Sequence, residues 1–150
     1  MPAVTLDVVA KLAEKKLRVV KVPLQLDTTP DEKGNLPEAH DFYLGEFDPH
    51  EIQQRLWGLI EAHQEAFTGV LFGPVLVAAS LCDQDRKWLA NSADEIVQLA
   101  RKFDTGGVLS GIKLHTLAQH AEQINMLTKE QIDAIEKKLP TTPTSGGSGG

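Results

Sequence analysis

Pro74-Val75-Leu76-Val77-Ala78-Ala79-Ser80-Leu81-Cys82 is apolar at nearly every position. A helix that is apolar all round has to be covered from several sides, so this segment predicts a central buried helix around which the rest of the chain is arranged. Downstream, Asp83 to Lys87 reads as a polar turn and Trp88-Leu89 as a short extended piece. Ser92-Ala93-Asp94-Glu95 has the Ser-x-x-Glu spacing of a capping box. Ile96, Leu99, Ala100 and Phe103 come next on one helical face, and Arg101 and Lys102 complement the dipole at its end. After a break at Asp104 to Gly107, Leu114, Leu117, Ala118, Ala121 and Ile124 keep helical phase to about Asn125. Thr128 and Gln131 form another capping box, Ile132, Ile135 and Leu139 continue the face, and Pro140 stops the helix.

Upstream, Asp48-Pro49-His50-Glu51 is a strong helix start, with Asp48 as N-cap, Pro49 at the first helical position and Glu51 placed to close a capping box. One helix is expected from there to about Phe67. Ile52, Leu56, Leu59, Ile60, His63 and Phe67 lie on its core face and Trp57 on the flank. Before it the period is two: Val20, Val22, Leu24 and Leu26 alternate with Lys21, Pro23 and Gln25, predicting a strand over Leu17 to Leu26 that Pro23 confines to a sheet edge. Asp41 to Phe47 is its expected partner across an exposed loop, Asp27 to Glu38. Leu6, Val9, Ala10 and Ala13 predict a short first helix from Leu6 to about Lys15. The fold class is therefore α+β: a mainly helical single domain over residues 1–139 with an N-terminal strand pair, then a disordered Gly/Ser-rich tail or linker over residues 140–150.

The chain has 150 residues, 41% of them apolar and 24% charged, which suits one globular domain. Fifteen Lys and Arg against 21 Asp and Glu give a net charge of −6, the wrong sign for a phosphate-binding surface, so neither nucleic acid nor anionic membrane is an expected partner. Cys82 is the sole cysteine, which points to a reducing compartment. The first seven residues lack signal-peptide character, and no stretch approaches the roughly 18 apolar residues of a membrane span.

A search for chemistry returns no catalytic, metal or cofactor constellation. His50-Glu51 begins like a zinc-protease helix, but Gln54 stands where the second ligand belongs. His115 and His120 are five residues apart, about 140° round a helix, and cannot share an ion. Gly106 to Lys113 resembles a phosphate loop, yet Ile112 displaces the lysine. Asp83 and Asp85 lack the third ligand and the glycine of a calcium loop. Glu61 and Glu65 lack the Glu-x-x-His partner of a di-iron site. Cys82 sits among apolar neighbours as a small buried hydrophobe. These absences favour a non-enzymatic protein that binds other proteins, with an enzyme of unknown class as the remote alternative. Trp57, an aromatic flanking the core stripe, is the candidate protein-binding residue, set against the favoured reading of a ring that seals the core edge.

The run Leu76 to Asp85, succeeded by Trp88-Leu89, Ser92 to Glu95, Gln123-Ile124-Asn125 and Leu127 to Ile132, resembles the tail assembly chaperones of long-tailed bacteriophages. In those proteins an apolar helix runs into an acidic turn, a capped helix, a long helix and a final capped helix. The likeness extends loosely over Leu17 to Leu139. Family members usually carry glycine in the acidic turn, where this chain has Arg86, and often after the Asn, where it has Met126. The resemblance implies a cytoplasmic role in the infected host cell: binding the tape measure protein, keeping it soluble, and helping to recruit tail tube subunits before leaving the finished virion. It also implies a longer frameshifted form that contacts the tail tube protein, for which Lys137-Lys138, Gly146-Gly147 or Gly149-Gly150 could encode the slippery site. A head or tail adaptor retained in the virion is the alternative, and the oligomeric state stays open.

Overall fold

A computed structural model describes residues 3–26, 28–105, 107, 109 and 111–140. The expected Gly/Ser-rich tail at 141–150 lies outside the described residues, as do Gly106, Val108 and Ser110 of the glycine-rich stretch. Pro140, placed by the sequence in the tail, accepts a hydrogen bond from the Gly69 N–H at 3.1 Å, so the docked chain extends at least that far.

The fold is α+β, about one antiparallel three-stranded sheet in the order β1-β2-β3. Strand β1 (Val19–Leu24) pairs with β2 (His40–Gly45) in the register Val20↔Leu44 and Val22↔Phe42. Val22 is buried between exposed Lys21 and Pro23, as the period of two requires. The third strand, β3 (Leu81–Cys82), pairs with Tyr43 and Leu44 and was not expected: the apolar segment is helical only as α4 (Phe72–Ser80) and then turns extended. The Ser80 hydroxyl donates to the Leu76 carbonyl at 2.7 Å, which marks the last turn, and Leu81 leaves with φ −64° and ψ 131°. An apolar run has no periodicity with which to separate a helical part from a strand part. Cys82 also bridges Trp88, so the extended piece expected there completes a small hairpin.

The helix expected over 48–67 is divided. Asp48 and Glu51 make both bonds of the capping box, α2 (Pro49–Ile52) passes into a π-helical turn at Gln53–Trp57, and α3 (Gly58–Ala62) succeeds it. The Gly58 N–H donates to the Gln53 carbonyl, and a Cβ at Gly58 would stand 2.7 Å from that oxygen, so glycine is what lets the wide turn close. Short i→i+3 turns carry the chain onward to Phe67, which is buried, while His63, expected on the core face, is exposed. The extra residue in the π turn rotates the residues from Gly58 onward away from a single stripe.

Helices α5 (Ala93–Phe103), α6 (Ile112–Ile124) and α7 (Lys129–Lys138) complete the body. Helix α4 touches α5, α6, α7, the π turn and β2, and eight of its nine residues are buried, which makes it the centre of the core. Helix α1 (Leu6–Ala13), capped by Thr5, stands apart with no buried residue.

Candidate interaction surface

Glu46 and Phe47, between β2 and α2, are where sequence-distant parts of the body meet. The Arg18 guanidinium donates to both carboxylate oxygens of Glu46, at 3.3 and 3.2 Å, and to the Ile124 carbonyl at 3.0 Å. This contact raises the pKa of Arg18 and lowers that of Glu46, chiefly through the side-chain hydrogen bond they share. Asn125, at the end of α6, accepts from the Phe47 N–H at 2.7 Å and donates to Ala121 O at 3.0 Å. From the hairpin, Arg86 donates to Glu46 O at 3.0 and 2.8 Å and forms an ion pair with Glu51.

Trp88 lies at the middle of this junction. Its indole N–H donates to Glu51 Oε2 at 3.2 Å, and its ring centroid is 5.2 Å from that of Phe47. The Arg55 and Arg86 guanidinium carbons stand 4.5 and 5.0 Å from the Trp88 centroid, within cation–π range. A Cβ on Gly45 would come within 2.8 Å of the ring, so the indole rests on bare backbone there. Arg55, 8% exposed, comes from the π turn and donates to Ala79 O at 2.9 Å and Ala90 O at 2.5 Å, tying α4 to the segment before α5. Burial pushes its pKa down to about 10, with Glu51 acting in the opposite sense, so Arg55 stays charged at neutral pH. The sequence reading missed Arg55. Its place three residues after Ile52 and four before Leu59 put it within the apolar stripe, and a charge there was the available signal.

Two hairpin and cap positions have left-handed backbone. Asp83 N–H bonds Lys87 O, the Asp83 carboxylate accepts the N–H groups of Asp85 and Lys87 at 2.8 and 3.0 Å, and Arg86 closes the three-residue loop with φ 64°. Glycine usually takes that position in such hairpins. At the end of α6, Leu127 N–H bonds Glu122 O and Met126 N–H bonds Gln123 O, the two bonds of a Schellman cap, with Met126 at φ 52°. Arg86 and Met126 are the non-glycine positive-φ residues among those described.

The residues weighed for chemistry are placed apart. Glu51 is engaged by Asp48 N–H, Arg86 and Trp88; Glu61 pairs with Lys138; the Asp83 carboxylate is taken by its own turn. Burial pushes the Cys82 thiol up to about 11, with Asp83 adding to the shift, so it is protonated at neutral pH. Lys113, from the glycine-rich stretch, donates to Leu26 O at 3.1 Å. Among the described residues no group of three or more His, Cys, Asp or Glu side chains is arranged to hold a metal, and no helix is long and apolar enough to cross a membrane. Trp57 packs half-buried against the core with its indole N–H buried and without an acceptor, so any contact it makes with a partner uses only the exposed part of its ring.

What the surface does offer is apolar. On α1, Leu6, Val8, Val9 and Leu12 are 83%, 46%, 50% and 55% exposed. A groove of about 320 Å³ runs between the start of α4 and the end of α7, lined by Val70, Leu71, Phe72, Leu139 and Pro140, with Glu136 at its rim. The chain matches no family model, and neither a curated protein nor a solved structure matches it significantly.

Proposed function

We propose that the protein is a tail assembly chaperone of a long-tailed bacteriophage, which binds the tape measure protein in the host cytoplasm, keeps it soluble, helps recruit tail tube subunits and leaves before the virion matures. The observation that carries this reading is the backbone at Arg86 and Met126. These are the two positions at which the resemblance implies glycine, and both adopt the left-handed conformation that favours glycine. The departures are thus confined to the side chain, while the turn and the cap keep the geometry that glycine serves. Exposed apolar side chains on an acidic body supply the other requirement, since an extended helical client presents apolar stripes that such surfaces can cover.

The test is co-expression with the tape measure protein encoded by the same phage genome. The client should become soluble and co-purify with this chain, and purified virions should lack it. A client that stays insoluble and uncaptured would overturn the proposal, and presence of this chain in stoichiometric amount in virions would favour the adaptor.

A further inference from the structure

Among the described helices of eight residues or more, α1 alone buries no side chain. Isolated helices shorter than about 12 residues are marginal in water, so an eight-residue helix depends on packing for its order. At 100° per residue, Leu6, Val8, Val9, Ala10, Leu12 and Ala13 share one broad face, while Asp7 and Lys11 occupy the other side. Lys11 borders the apolar face beside Val8 and Leu12. The complement of such a face is an apolar groove with a carboxylate to meet Lys11, and the groove between α4 and α7 offers Glu136. Leu71 in it is 61% exposed, and Glu136 at its edge belongs to none of the ion pairs among the described residues.

Charge favours the same pairing. Residues 1–17 carry three Lys against two Asp and Glu, whereas residues 18–150 carry twelve Lys and Arg against nineteen Asp and Glu, so an arm of slight positive charge precedes an acidic body. The groove of another molecule is favoured because within one chain α1 is seated in no groove and buries no side chain. The arm enters the sheet at Val19, opposite Gly45, next to the end of β2 that pairs with Leu81. The groove is at the start of α4, and Glu14 to Arg18 connect α1 to β1.

We propose that α1 docks in the Leu71–Leu139 groove of a second copy of this chain, reciprocally, so that two chains exchange their first helices and Lys11 of each lies beside Glu136 of the other. Dimerisation is separate from client capture, and either can fail without the other. Sedimentation velocity on the full chain at rising concentration should show a monomer–dimer equilibrium. Leu6→Asp with Leu12→Asp should give a monomer whose body still unfolds cooperatively, because neither side chain is buried within one chain. Lys11→Glu should weaken the dimer roughly fivefold, and Glu136→Lys in the same chain should restore it. In a Val9→Cys, Leu71→Cys double variant, oxidation should link two chains. A monomer at all concentrations, a dimer indifferent to the aspartates, no rescue by the charge exchange, or a cross-link within one chain would each overturn the proposal.

Discussion

At the level of single residues, Arg86 and Met126 share a backbone conformation that is unfavourable for side-chain-bearing residues by about 1–2 kcal/mol, yet they should respond oppositely to glycine. Met126 is 75% exposed, so Met126→Gly relieves the backbone and removes little packing. It should raise stability by about 0.5–1 kcal/mol, read as a higher urea midpoint. The Arg86 side chain holds Glu46 O and Glu51 and stacks on Trp88, so Arg86→Gly should lower the midpoint despite the same relief. Equal gains from both would show that the Arg86 contacts contribute nothing. Arg55→Met keeps the bulk but leaves the carbonyls of Ala79 and Ala90 without this donor inside the body. A loss of about 2–4 kcal/mol is expected, measured by the same titration. The sequence identified Asp48, Glu51, Thr128 and Gln131 correctly because a capping box is a local pattern, and both boxes are present. Around Ser92 the pattern was only half right: the Ser92 hydroxyl accepts Glu95 N–H, but Glu95 reaches back to Asn91 N–H. The partners of Arg55 and Arg86 were not legible because they lie 24 to 40 residues away in the chain.

At the level of elements, β1 and α4 to α7 were readable because each repeats apolar residues with its own period or is apolar throughout, and β2 was readable through its aromatic residues. The π turn was not, since one inserted residue changes no composition and only shifts the phase after it. Gly58 is its signature. Gly58→Ala sets a Cβ against the Gln53 carbonyl, so the variant should lose about 1–3 kcal/mol. A structure of the variant should show the turn rewound to an α register or opened; an unchanged π turn with unchanged stability would contradict this. The broad surface of α1 was legible as an amphipathic helix, but that none of its side chains is buried was not, because periodicity reports a face and not the surface that covers it.

For the whole molecule, acid should act on stability through Glu46. Its pKa is lowered in the fold, so the stability it contributes is present above its ordinary value of 4.5 and is lost as pH falls through the depressed value. Glu122 has the opposite sign: burial raises its pKa, and the advantage of its protonated form disappears as pH rises through that raised value. Unfolding midpoints tracked downward from about pH 5 should therefore fall less steeply in Glu46→Gln than in the parent chain, and parallel curves would rule this coupling out. The open edge of the sheet bears on a different property. Glu46 N–H bonds Arg18 O, so in the alternation along β1, Val19, Lys21 and Pro23 turn their backbone groups away from β2. Pro23 has no N–H to offer there, and Lys21 places a charge beside it. Such an edge is a poor template for another strand. Molecules crowded together can cover apolar surface without zipping into fibrils along β1, because that edge of the sheet has been made unreceptive.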